Sequence, residues 1–119
     1  MHINSNFEDD ENLYRAIRLN QLDEDGNVSM AALKGNPGLS VERGNYRLDD
    51  KVVLDMKKRF EGKIAKITVG DCRKANAHVV YKPSKLSEYH SEIHDSKDKI
   101  ELSISKRRKL CKMMEIIIN

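Results

Sequence analysis

The chain has few of the large side chains that usually fill the core of a small domain. It contains no tryptophan, four tyrosines and two phenylalanines among 119 residues. A predominantly aromatic core is therefore excluded, and the apolar surface that is buried on folding must come from Ile, Leu, Val and Met. A chain of this length buries roughly two-thirds of its unfolded surface on folding, which is enough for one domain and too little for two.

Cysteine and long apolar runs are also scarce. Cys72 and Cys111 are the two cysteines, and they form no CxxC motif, so the sequence predicts free thiols in a reducing compartment. No apolar run approaches the roughly 20 residues of a membrane span. Residues 1–6 lack the basic start and apolar stretch of a signal peptide. We therefore expect a cytoplasmic protein without a membrane partner.

Charge is plentiful and unevenly distributed. The net charge is +3, yet residues 1–27 hold a large excess of Asp and Glu over Arg15 and Arg18, so the rest of the chain is strongly basic. Residues 1–11 are polar and acidic, which predicts a flexible acidic tail ahead of a single domain at 12–119. The basic part is expected either to attract this tail or to face an anionic partner.

Alternation of apolar and polar residues predicts several short strands. They lie at residues 13–17, 39–43, 64–69, 77–81 and 89–94. Residues 28–33 fit either a strand or a short helix that begins at Ser29, and residues 100–102 fit either a strand or the approach to a helix. Gly, Asn and Pro at 35–38 break the chain in both cases.

Two segments have helical spacing. In residues 49–61, Val52, Val53, Met56 and Phe60 fall on one face, with Asp49 or Asp50 available as a cap. In residues 104–118, the apolar stripe is continuous, and Ser103 or Ser105 can cap it; its members are Leu110, Met113, Met114, Ile117 and Ile118. The expected fold is α+β, with a mostly antiparallel sheet of four to six short strands and two packed helices.

The start of the second helix is the candidate binding site. Its first turns carry five cations, which are Lys106, Arg107, Arg108, Lys109 and Lys112. Each cation near a helix N-terminus interacts unfavourably with the helix dipole and costs about 0.3–1 kcal/mol of stability. Either the acidic N-terminus or an external phosphate could compensate this charge. No zinc-finger, helix-turn-helix or RNA-recognition signature accompanies it. The sequence thus favours a binding or regulatory protein that needs no cofactor and engages an acidic protein or a nucleic acid.

The pentad from His90 to His94 is the most chemically suggestive motif. As a strand it places His90, Glu92 and His94 on one side; as a helix it pairs only the two histidines. We expect the strand, with Tyr89 and Ile93 facing inward and His90 available for binding. Two histidines are half of a structural zinc site, so no metal is predicted.

One segment supports an enzymatic alternative. Residues 10–16, with Leu13, Tyr14 and Arg15 at their centre, resemble the first strand of arginine-directed bacterial ADP-ribosyltransferases. The resemblance implies that Arg15 would anchor NAD, while Ser40 and Glu92 would supply the serine and the catalytic carboxylate that follow in chain order. The Ser-Thr-Ser context of that family is absent around Ser40, and His90 stands where the family has a second acid.

A broader resemblance covers more of the chain. The succession of residues 14–17, 29–34, 39–43 and 89–93 is similar to small uncharacterised bacterial proteins. It implies a bacterial or phage source and a single domain, and it implies no activity.

Overall fold

The computed structural model describes residues 3–34 and 38–118, and it confirms an α+β fold. One sheet of six antiparallel strands has the order β4-β5-β2-β1-β3-β6. Its strands are β1 (Asn12–Ile17), β2 (Leu39–Arg43), β3 (Lys63–Thr68), β4 (His78–Tyr81), β5 (His90–His94) and β6 (Glu115–Ile118). The helices are α1 (Asp49–Lys57), α2 (Val69–Lys74) and α3 (Ile104–Met113), with 3-10 turns at Leu19–Gln21 and Met30–Leu33.

The expected strands and first helix are present with shifted ends. The ambiguous segment at 28–33 becomes a 3-10 turn with Ser29 at its start, and residues 100–102 form no strand. Helix α1 ends at Lys57, and Leu48 rather than an aspartate occupies its cap position. The predicted break at 35–38 lies outside the described residues except for Gly38. No helix in the described parts of the chain is long and apolar enough to cross a membrane.

The prediction of a helix across 104–118 is wrong in its second half. Helix α3 ends at Met113, Met114 is extended with ψ 131°, and β6 then pairs with β3. Ile116 packs against one core of the protein and Ile117 against the other, which is the alternation of a strand. Three consecutive isoleucines favour a strand because β-branched side chains lose rotamer freedom in a helix.

Each face of the sheet carries a core. The main core lies under α2 and α3, where Val69, Cys72 and Leu110 pack on strand residues such as Leu13 and Ile93. The second core is smaller and lies under α1, where Val52 and Met56 pack on Tyr14 and Ile64. We call these two sides the α3 face and the α1 face. On its face, α1 packs over strands β1, β3 and β6.

Residues 3–11 make specific contacts with the domain. The Arg43 side chain is 1% exposed, and its guanidinium donates to both Glu11 carboxylate oxygens at 2.7 and 2.8 Å. It also donates to the carbonyl oxygens of Asn4 and Asn6 and stacks on the Phe7 ring. The predicted flexibility of this segment stays a prediction, but the described residues show how Arg43 anchors it.

Candidate functional site

The five cations of the predicted binding helix divide into two groups. Lys106 and Arg107 are half-buried, and their side chains bond to the protein itself. The Lys106 ammonium donates to the Asp95 carbonyl oxygen at 2.6 Å, and Arg107 Nε donates to the Leu102 carbonyl oxygen at 3.3 Å. These two cations therefore help to hold the loop that precedes α3.

Arg108, Lys109 and Lys112 form the second group. All three are exposed, and none has an ion-pair partner among the described residues. Arg108 and Lys112 lie one helical turn apart, and Ile104, which is 59% exposed, lies one turn before Arg108. The helix thus presents to solvent a stripe of one isoleucine and two cations, with Lys109 beside it. We call Ile104, Arg108, Lys109 and Lys112 the α3 surface.

The charge at the start of α3 is compensated by an acid that sequence reasoning did not identify. Ser103 caps the helix, since its hydroxyl accepts from the Lys106 N–H at 3.3 Å. The Asp95 carboxylate accepts from the Ser103 N–H at 2.9 Å and lies 3.5 Å from the Lys106 ammonium. These contacts, the Ser103 N–H first, hold the pKa of Asp95 below its ordinary value. A carboxylate at the helix N-terminus offsets the unfavourable dipole.

The acidic N-terminal segment takes other partners. Glu11 pairs with Arg43, and Asp9 pairs with Arg73 at the end of α2. Within residues 3–34 and 38–118, no ion pair joins this segment to α3. The three exposed cations of the α3 surface are therefore not neutralised by the tail.

The pentad forms strand β5, as predicted; Glu92 bonds to His94, while His90 bonds to a main-chain carbonyl. Glu92 is 7% exposed; it accepts from His94 Nε2 at 2.8 Å and lies 3.7 Å from the Lys82 ammonium. His90 Nδ1 lies 2.8 Å from the Lys82 carbonyl oxygen. Because a carbonyl can only accept, Nδ1 carries the proton, and a neutral His90 ring keeps Nε2 as an acceptor.

Of the two residues expected to face inward, Ile93 lies in β5 and Tyr89 immediately precedes the strand. Ile93 is fully buried in the main core, whereas Tyr89 is half-buried and its ring stacks under the Arg47 guanidinium at 3.5 Å. In the part of the chain that the structure describes, no group of three or more His, Cys, Asp and Glu side chains is placed to hold a metal ion.

A groove of about 890 Å³ opens on the α1 face, and the strand pairing explains its origin. Strands β1 and β2 pair at Leu13–Arg43 and Tyr14–Glu42 and then separate. Met56 and the turn after α1 form one wall of the gap, and the 3-10 turn at Leu19–Gln21 closes one end. Gly62, with φ +96°, lies so close to the Ile17 carbonyl that a side chain would collide with it, which brings this turn against the end of β1.

The Arg15 side chain lies on the α3 face by strand alternation, with Leu13 and Ile17, and borders the gap between the separated strands from that side. Its Nε donates to the Ala32 carbonyl oxygen at 2.8 Å, and its Nη1 donates to the Ser40 carbonyl oxygen at 2.7 Å. Burial lowers the pKa of Arg15 to about 10, since hydration of the cation is lost and no carboxylate among the described residues pairs with it. The groove is therefore lined by a positive charge that has no acidic partner among the described residues.

The residues of the transferase hypothesis are only partly brought together. Arg15, Ser40 and His90 all line the groove. Tyr14 pairs with Glu42, and Glu42 pairs with His90, so these three side chains lie on one face of the sheet. Because side chains alternate along a strand, Glu92 lies on that same face and Arg15 lies on the opposite one. The transferase activity stays a prediction, and this arrangement of arginine and carboxylate gives it no support.

Several groove residues were missed by sequence reasoning. Arg18 and Lys34 line it, and both are exposed. Arg59, on the opposite wall, donates to Glu42 at 3.1 Å. Arg18 follows a strand and Lys34 follows a 3-10 turn, with no motif spacing between them, so only the strand order could have revealed that both line the groove.

Comparison with known proteins gives no relative from which chemistry could be transferred. No protein-family model, no curated protein and no solved structure matches this chain.

Proposed function

We propose that the protein is a small binding module whose α3 surface engages an acidic segment of a partner protein. The observation that carries this proposal is the division of the basic run. Lys106 and Arg107 are used by the fold, whereas Arg108, Lys109 and Lys112 are exposed and lack an ion-pair partner among the described residues. A cytoplasmic location and a bacterial or phage source belong to the same proposal.

The composition of the α3 surface favours protein over nucleic acid. Ile104 offers an exposed aliphatic contact one turn from Arg108, and protein interfaces combine apolar contacts with charged ones. Proteins that bind single-stranded nucleic acid add aromatic side chains for base stacking, and α3 contains none. An acidic peptide with one apolar residue would complement this surface in charge and in hydrophobicity.

The experiment compares two anionic probes by fluorescence anisotropy. One is a labelled glutamate-rich peptide that contains a leucine, and the other is a labelled DNA duplex of arbitrary sequence. We expect the peptide to bind more tightly than the duplex. Arg108→Glu/Lys109→Glu should weaken peptide binding at least about tenfold, which corresponds to about 1.4 kcal/mol.

The matched control is Lys58→Glu/Lys85→Glu, which makes the same change in net charge at exposed positions outside the α3 surface. It should leave peptide affinity within about twofold. Ile104→Ser tests the apolar contact without changing charge and should weaken the peptide and not the duplex. Equal losses in the two double variants would show general charge attraction, and tighter binding of the duplex would replace the protein partner with nucleic acid.

A further inference from the structure

The groove on the α1 face has the size and the polar groups of a small-molecule site. Its volume of about 890 Å³ lies within the roughly 300–1,000 Å³ typical of such sites. It is distinct from the α3 surface, because α1 and α3 pack on opposite faces of the sheet. Its lining combines buried Met56 and the partly exposed Phe60 ring with cations and hydrogen-bonding groups.

Positive charge predominates where the groove has free side chains. Glu42 and Glu61 are also in the lining. The Glu42 carboxylate already accepts from Arg59 at 3.1 Å and from the Ser87 hydroxyl at 2.8 Å. Glu61 is exposed and has no ion-pair partner among the described residues, so the free side chains are one carboxylate and the two cations Arg18 and Lys34. These two cations have no acidic partner within the described residues. The end of the groove near these two residues is therefore open to an anion.

Arg15 is a further cation in the groove lining. Its Nε and Nη1 are held by the carbonyl oxygens of Ala32 and Ser40, so the guanidinium is fixed in place. Its Nη2 has no hydrogen-bond partner among the residues that the structure describes. Arg15 is half-buried, and a partly desolvated cation without an acidic partner is stabilised by a nearby anion, which a ligand in the groove would supply.

The remaining polar groups can form hydrogen bonds with other parts of a ligand. The Ser40 hydroxyl is on an exposed residue and can donate or accept. His90 Nε2 accepts in the neutral ring, whose Nδ1 donates to the Lys82 carbonyl oxygen, and donates in the protonated ring. Met56 and Phe60 provide the apolar wall for a flat body. The arrangement thus separates an anion-binding end from an apolar wall.

We propose that this groove binds a small organic oxyanion with a flat apolar body. Arg18 and Lys34 hold the oxyanion near the Arg15 guanidinium, Met56 and Phe60 contact the body, and Ser40 and His90 bind its polar substituents. A phosphate monoester and a carboxylate share this chemistry.

The test uses the full chain and three probes, which are phenyl phosphate, benzoate and uncharged benzyl alcohol. Binding is measured by calorimetry and by ¹⁵N NMR shifts, including the Arg15 Nε resonance. We expect at least one of the two anions to bind and to shift the signals of Arg15, Ser40 and Phe60, while benzyl alcohol does not. Tighter binding of phenyl phosphate identifies a phosphate ester, and tighter binding of benzoate identifies a carboxylate.

Surface variants keep the test independent of folding. Arg18→Gln/Lys34→Gln removes the two exposed cations and should weaken anion binding at least about tenfold. Lys58→Gln/Lys85→Gln removes the same charge outside the groove and should change affinity less than about twofold. The proposal is overturned if the two double variants weaken binding equally, if benzyl alcohol binds as well as the anions, or if the shifted signals lie outside the groove.

Discussion

Replacing Glu11 by Gln tests whether the N-terminal segment is part of the folded domain. Arg43 is almost completely buried, and Glu11 is its acidic partner, with two hydrogen bonds at 2.7 and 2.8 Å. The amide of Gln fills the same space and keeps one acceptor oxygen, but it removes the negative charge. The guanidinium then stays buried without a counter-charge.

The expected loss of stability is large for a domain of this size. Removing one partner of a buried ion pair costs about 3–5 kcal/mol, and the acceptor retained by Gln recovers roughly 1 kcal/mol. We therefore expect a loss of about 3 kcal/mol, against a total stability of about 5–15 kcal/mol. With an m-value of about 1.5 kcal/mol/M, the urea midpoint should fall by about 2 M.

Urea unfolding followed by circular dichroism measures this change, and Glu8→Gln is the matched control. Glu8 is exposed, so its replacement should change the free energy of unfolding by less than about 0.5 kcal/mol. Hydrogen exchange gives a local readout. The amides of Val69 and Gly70 donate to the Glu11 and Asp9 carbonyl oxygens at 2.9 and 2.8 Å, so they should lose protection in the Glu11→Gln variant.

Two outcomes would refute this reasoning. A loss below about 1 kcal/mol, similar to that of Glu8→Gln, would show that Arg43 is hydrated or differently paired in solution. Unchanged protection of Val69 and Gly70, despite a lower midpoint, would show that the N-terminal segment does not depend on this ion pair.

Two further predictions concern burial. Leu110→Ala should cost about 2–5 kcal/mol, because Leu110 is fully buried, whereas Met113→Ala should cost less because Met113 is half-buried; equal losses in urea unfolding would contradict the described orientation of α3. Burial raises the pKa of the Cys72 thiol from 9.0 to about 12, and burial with the Asp49 hydrogen bond raises the pKa of Tyr14 above 10.0. The unfolded chain therefore releases protons that the native state keeps, so stability should be fully present below about pH 9 and fall at higher pH by up to about 1.4 kcal/mol per pH unit for each group. Urea midpoints that stay constant up to about pH 11 would contradict this. In the Tyr14→Phe variant, stability should fall less steeply with rising pH, because the contribution of Tyr14 is removed.

The fold class was accessible from sequence because the strands alternate clearly. Residues 13–17, 39–43 and 89–94 each contain a strand, although burial does not alternate along these strands because packing covers both faces of the sheet. The C-terminal error arose because five apolar residues from Leu110 onward satisfy helical spacing as well as they satisfy a helix followed by a strand. The partner that decides between these structures is β3, and its pairing with β6 is a tertiary contact.

The candidate sites were harder to predict for a related reason. The exposed cations Arg108, Lys109 and Lys112 were identified from sequence, but the contact that separates them from Lys106 comes from Asp95 in a different loop. The groove depends on the point at which β1 and β2 separate. Neither residue type nor spacing marks that point, and Arg15 borders it through hydrogen bonds to main-chain carbonyls that no sequence pattern reports.

The order of the strands has a consequence for folding kinetics. The β4-β5 hairpin adds to the sheet through β2, and β6 adds through β3, so chain segments far apart in sequence must meet before the sheet is complete. Each such closure loses chain entropy before its contacts form, and domains rich in non-local pairs fold in milliseconds to seconds. The segment that contains helix α3 connects β5 to β6, which are separated by three strands in the sheet. The chain should therefore fold slowly for its size, and the β4-β5 hairpin, which has a short connection, should form before the pairs between distant segments.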